Sequence, residues 1–60
     1  MIKLFVARDK DGRLFLFEDK PKKIYKAWVS NPYIPIDSSL LPNVKWEDDE
    51  PTLVTLKIME

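Results

Sequence analysis

Residues 5–17 read FVARDKDGRLFLF, and the reading of this stretch decides the fold. Two runs rich in strand formers, IKLFVAR over residues 2–8 and RLFLFE over residues 13–18, flank Asp9, Lys10, Asp11 and Gly12. An Asp at the first turn position, an Asp at the third and a Gly at the fourth suit a type I turn closed by a left-handed glycine. Gly12 is the only glycine in the chain. Pairing Asp9 with Arg13 then sets Ala7 opposite Phe15, Val6 opposite Leu16 and Phe5 opposite Phe17. Side chains alternate between faces, so Phe5, Ala7, Phe15 and Phe17 share one side while Val6, Leu14 and Leu16 share the other. Both faces are apolar. Such a hairpin is either central in a wrapped sheet or partly covered by another molecule.

Working outward, residues 19–23 read as a charged loop around Pro21, which lacks a ladder donor. Residues 24–30 (IYKAWVS) predict a third strand that stops at Asn31-Pro32. Residues 33–36 (YIPI) predict a short fourth strand, confined to a sheet edge by Pro35. Residues 37–41 predict one helical turn with Asp37 as N-cap and Pro42 preventing its continuation. Residues 44–46 read as extended, and residues 47–51 as an acidic loop. Residues 52–59 (TLVTLKIM) alternate as a last strand, with Val54, Leu56 and Ile58 facing in and Thr55 and Lys57 facing out. The expected fold is mainly β: a small antiparallel sheet or partly closed barrel of four to five strands, with one short helical turn near 37–41. Residues 1–60 form a single small β-rich domain.

Composition narrows the chemistry. The 60 residues include no His and no Cys, so disulfides and thiolate or imidazole metal sites are excluded. An imidazole base and a cysteine nucleophile are excluded with them. A chain this short buries only about 60% of its unfolded surface, so its stability rests on its seven aromatic rings or on self-association. No long apolar run marks a signal peptide or a membrane span, and a cytoplasmic protein is the expectation.

Ten basic and ten acidic residues give zero formal net charge, but they are unevenly placed. Residues 1–26 hold eight bases and four acids, a balance of +4, and residues 27–60 hold two bases and six acids, a balance of −4. Lys20, Lys22, Lys23 and Lys26 surround Tyr25 and precede Trp28. Basic residues interleaved with aromatics can bind single-stranded nucleic acid through phosphate contacts and stacking, with Lys20, Lys22, Lys23, Tyr25 and Lys26 as its residues. The simpler reading is a solvated loop leading into a strand whose aromatics are buried, because a core this small needs Trp28. The acidic run over residues 47–50 can dock on a basic protein surface or serve as a solubilising loop. Its sign also permits head-to-tail pairing with the lysines of a second copy.

Catalytic and metal readings have little support. Asp9, Asp11, Gly12 and Glu18 fall at calcium-loop positions, but Ala7 stands where the first carboxylate ligand belongs, and the flanks alternate as strands. Ser38 and Ser39 have no His partner, and their place after Asp37 is explained by capping. One glycine cannot make a phosphate loop. The expectation is a non-enzymatic chain with no cofactor and no metal.

Two stretches, residues 5–21 and 36–56, resemble a family of very small uncharacterised β-rich proteins from Bacteroides-type gut bacteria and their prophages. Its pattern is an Ala-Arg-Asp-x-Asp-Gly hairpin, a Lys-Pro loop, a central Trp and a Leu-Phe-Pro-x-Val-x-Trp-Glu segment before a last strand. Arg8, Asp9, Asp11, Gly12, Lys20, Pro21, Trp28, Leu40, Pro42, Val44, Trp46 and Glu47 match it, and Leu41 replaces the usual Phe. The resemblance implies a bacterial or phage setting and supplies no catalytic residue. By analogy it implies a protein that binds and blocks a host protein. The expected function is therefore protein binding, with Tyr25, Trp28, Tyr33 and Trp46 as anchors and Asp48, Asp49 and Glu50 steering a basic partner. The expected partner is a protein of unknown identity. A homodimer is a further expectation, nucleic acid is the alternative partner, and no membrane is involved.

Overall fold

The computed structural model of the chain describes residues 2–56. Six strands follow one another: β1 (Ile2–Arg8), β2 (Leu14–Phe17), β3 (Lys22–Ile24), β4 (Ala27–Val29), β5 (Tyr33–Ile36) and β6 (Thr52–Leu56). Four of them make an antiparallel sheet in the order β5-β2-β1-β6, and β3 pairs with β4 in a separate two-stranded sheet. The architecture is mainly β, as the hairpin and the alternating runs predict.

The first hairpin forms with the register read from its turn: Phe5 faces Phe17, Val6 faces Leu16 and Ala7 faces Phe15. The Asp9 amide donates to the Arg13 carbonyl (2.8 Å), and the Gly12 amide donates to the Asp9 carbonyl (2.9 Å). Gly12 sits at φ 95°, where an L side chain would be strained. Pro35 lies in β5, which is an edge strand of the sheet.

Each face of the central hairpin carries its own apolar cluster. On one side Val6, Leu14 and Val44 are buried, and Leu16, Ile36 and Val54 pack around them. On the other side Ala7, Phe17 and Trp28 are buried, with Phe5, Phe15 and Trp46 around them. The small sheet lays Trp28 over the second face. The segment after β5 brings Val44 to the first face, and two residues later Trp46 packs with the second. The chain therefore wraps the hairpin rather than leaving one face bare.

Several expectations are corrected. Of the two expected forms the small antiparallel sheet holds and the partly closed barrel does not, and six strands stand where four to five were expected. Residues 24–30 do not form one strand: they break at Tyr25 and Lys26 into a two-residue turn between β3 and β4, with Ile24 facing Ala27. Tyr25 takes φ 55° at the first turn position, where a glycine is the usual occupant and no glycine warned of a turn. Lys22 and Lys23, read as loop, belong to β3. Residues 37–41 contain no helix. Asp37 Oδ1 instead accepts from the Ser39 amide (2.9 Å) and hydroxyl (2.8 Å), and the Leu40 amide closes a turn on the Asp37 carbonyl (3.0 Å). An Asp followed by Ser two residues on satisfies the backbone as well in an isolated turn as at a helix start. Leu41, at φ 49°, then turns the chain away from any helical path. Residues 44–46 are not a strand. In the last strand Val54 faces in and Thr55 out, while the expectations for the Leu56 side chain, Lys57 and Ile58 lie outside what the structure describes.

The segment from Asp37 to Val44 is irregular, and one side chain organises it. Arg8, at the end of β1, donates from Nε to the Val44 carbonyl (2.7 Å) and from Nη1 to those of Gly12 (2.7 Å) and Ser38 (3.0 Å). Its Nη2 donates to the carbonyls of Leu40 (3.1 Å) and Leu41 (3.3 Å). All five N–H groups of the guanidinium thus meet carbonyl oxygens, a fork that a lysine cannot reproduce.

Candidate functional site

Tyr33, Phe15 and Phe17 share one face of β5 and β2, as the register Phe17 to Tyr33 and Phe15 to Pro35 requires. The Phe15 and Tyr33 rings meet edge to face with centroids 5.7 Å apart, and Phe17 lies 6.5 Å from Tyr33. Opposite them stands β4, with Trp28 on the floor and Val29 on the rim. These side chains and Asp9 line a groove of about 280 Å³ that opens to solvent. Tyr33 is 56% exposed and Val29 49%, so the lips of the groove are apolar and accessible.

Asp9 connects the groove to the fold. One carboxylate oxygen accepts from the Trp28 amide at 2.9 Å, which ties the first hairpin to β4. A second tie is the Lys10 amide on the Lys26 carbonyl (3.2 Å). Burial pushes the Asp9 carboxyl above the usual aspartate range, and the Trp28 amide only partly offsets it. Trp28 Nε1 is shielded and has no acceptor among the described residues.

The expected anchors are not on one surface. Trp28, 6% exposed, is a core residue and cannot serve as an exposed anchor. The reason is Ala7, whose small side chain leaves room over the hairpin for the indole. Trp46 is half-buried beside the same cluster. Tyr25, 85% exposed, stands at the tip of the small hairpin with the Lys26 ammonium 5.1 Å from its ring centre. Of the four aromatics, Trp28 and Tyr33 come together, in the groove.

The lysines and the acidic run meet each other. Lys20 pairs with Glu50 at 3.1 Å. Lys23 Nζ donates to the carbonyls of Trp46 (2.7 Å) and Asp48 (2.9 Å) and lies 4.3 Å from the Trp46 ring centre and 5.1 Å from that of Trp28. Asp48 itself accepts from the Lys45 amide (3.0 Å). Lys20, Lys22, Lys23, Asp49 and Glu50 line one shallow hollow. The two charge blocks that oppose one another along the sequence therefore lie side by side in the fold, joined by the ion pair of Lys20 with Glu50. Lys22 and Lys26 are exposed without a recorded carboxylate partner.

Sequence reasoning identified Phe15 and Phe17 as one face of a hairpin but not as a groove wall, and it missed Val29, Arg8 and the Asp9 cap. The one signal for the groove was the single alanine among aromatics at position 7. No group of three or more metal-ligating side chains occurs among the described residues, and Asp9 and Asp11 are engaged by the Trp28 and Arg13 amides. No helix of the described residues is long and apolar enough to cross a membrane. No family model, no curated protein and no solved structure matches the chain.

Proposed function

We propose that this chain is a non-enzymatic protein-binding module of the cytoplasm, one that takes an apolar side chain of its partner into the groove between β4 and the β2–β5 pair. The observation that carries the reading is an aromatic-walled groove with exposed apolar lips at Tyr33 and Val29. Rigid rings held by a sheet supply contact area at little conformational cost, which is how a few residues come to dominate a small interface. A bacterial or phage setting, in which the partner is a host protein to be blocked, accords with the resemblance of residues 5–21 and 36–56.

The acidic run contributes less than its sequence promises. Glu50 is paired with Lys20, which leaves Glu47, Asp48 and Asp49 to steer a basic surface, Asp48 while it accepts from a backbone amide. In nucleic-acid binding through the lysines, Lys20 is offset by Glu50, and Lys23, still charged, is held against two backbone carbonyls.

Selection from a displayed peptide library tests the proposal. Recovered peptides sharing an apolar anchor, with affinity lowered about tenfold or more by Tyr33→Ser, support it. Peptides whose binding is untouched by Tyr33→Ser but abolished by reversing Asp48, Asp49 and Glu50 to Lys move the site to the acidic run. Salt-sensitive binding of labelled oligonucleotides, with no peptide recovered, replaces the proposal with the nucleic-acid reading.

A further inference from the structure

The two edges of the four-stranded sheet are built differently. In an antiparallel ladder, residues that exchange hydrogen bonds with one neighbour turn their backbone groups away from the other. The Asp9 and Arg13 bond sets the phase, so Ala7 with Phe15 and Phe5 with Phe17 are hydrogen-bonded pairs. Across β2, Leu14 and Leu16 then bond Ile36 and Ile34, and the outward positions of β5 are Tyr33 and Pro35. Pro35 has no N–H to offer, so this edge is blunted. Across β1, Val6, Leu4 and Ile2 bond Thr52, Val54 and Leu56, and the outward positions of β6 are Leu53 and Thr55. Both carry an N–H and a C=O, and Thr52–Leu56 contains neither a proline nor a charge. Leu53 is 53% exposed. Among the described residues nothing protects this edge.

We infer that β6 is a self-pairing edge, through which two copies of the chain join antiparallel into one continuous sheet. The strand is its own complement. Its outward residues lie symmetrically about Val54, so a twofold axis at Val54 sets Leu53 of each copy opposite Thr55 of the other. All their outward N–H and C=O groups are then paired. A shift that sets Leu53 against its own copy brings Pro51, which has no N–H, into the ladder. In the Val54-centred register the two Leu53 side chains meet diagonally on one face, within reach of each other, and the two Val54 side chains meet on the other. Exposed apolar surface that a 60-residue chain cannot cover alone is thereby buried.

Thr55→Pro is the test, because position 55 points its N–H away from β1. The substitution copies what Pro35 does to β5 and leaves the inward ladder intact. Sedimentation from roughly 10 μM to 1 mM spans the range in which so small an interface is populated. The wild-type chain is expected to dimerise there, with Thr55→Pro raising Kd about tenfold or more. A strictly monomeric wild type, or a Thr55→Pro chain that dimerises equally well, overturns the inference. Amide exchange in the wild type needs no variant. Leu53 and Thr55 should gain protection with concentration while Val54 is protected throughout, and concentration-independent exchange at Leu53 and Thr55 overturns the inference.

Discussion

The central hairpin buries both of its faces, but by opposite means. The second face is covered by regular structure: β4 delivers one large ring, Trp28, into the space above Ala7, and the Asp9 carboxylate fixes the strand that carries it. The first face is covered by irregular chain: Val44 arrives at the end of a segment with no ladder of its own, and Arg8 holds that segment by its carbonyls. Burial of an indole needs only volume and shape. Holding an irregular segment needs its shielded acceptors satisfied, as at the part-buried Val44 carbonyl, since an unpaired carbonyl out of water costs about 1–3 kcal/mol. One face thus depends on packing and the other on a charged fork.

Removing the ring from the second face should have the largest effect. Trp28→Ala is expected to cost about 3–5 kcal/mol, the range for deleting a buried aromatic. That is comparable to the whole stability of a small domain without disulfides. Trp28→Phe should recover much of it, since it keeps an apolar ring and removes the unpartnered Nε1. Urea denaturation of the two variants decides the matter, and equal losses would mean that shape rather than volume controls this face.

On the first face Arg8→Lys is the sharper test, because it preserves charge and removes the fork. We expect a loss of about 2 kcal/mol, as several charge-assisted bonds are replaced by those of a single ammonium. Amides near Val44 should exchange faster in the variant than those of β4. Unchanged stability would show that any cation suffices there, and the contrast between the two faces would fail.

How much of this was legible follows from the same contrast. The hairpin register was readable because a turn with one glycine fixes it and alternation then assigns every side chain to a face. The Pro35 edge was readable because the missing N–H is a local property. The small hairpin was not, since Tyr25 and Lys26 carry none of the residues that announce a two-residue turn, and tertiary packing of Trp28 imposes it. The absent helix at residues 37–41 reflects a degeneracy: Asp-Ser-Ser satisfies a turn and a helix start alike, and the choice falls to Arg8, some thirty residues away in sequence. The groove was hidden for the same reason. Phe15 and Tyr33 were each visible, but their wall becomes a site only when β4 stands opposite.

Smaller effects separate the clamp of Lys23 from that of Arg8. Lys23 is exposed, holds two carbonyls and lies against two indoles. Lys23→Met keeps the aliphatic stem and should cost about 1 kcal/mol or less, on the scale of an exposed cation–π contact. Thermal unfolding measures it. A loss as large as that of Arg8→Lys would make the two clamps equivalent and erase the difference between the faces.

The smallest effect is that of Asp9→Asn, and its sign is informative. Burial raises the folded carboxyl above its unfolded value, so the native state holds this proton more tightly than the unfolded chain does. Stability from this group is therefore greatest below the unfolded value and falls as pH rises through the folded one. Asn removes the titration but keeps a side-chain oxygen for the Trp28 amide and a residue suited to the first turn position. The variant should equal or slightly exceed the wild type near neutral pH, and that advantage should vanish as pH falls below the unfolded carboxylate value. Denaturation midpoints followed across the acid range report it. An Asn variant that is less stable at neutral pH would mean that the charge itself is needed, through Arg13 or the neighbouring lysines. The second face would then rest on a charge, as the first does.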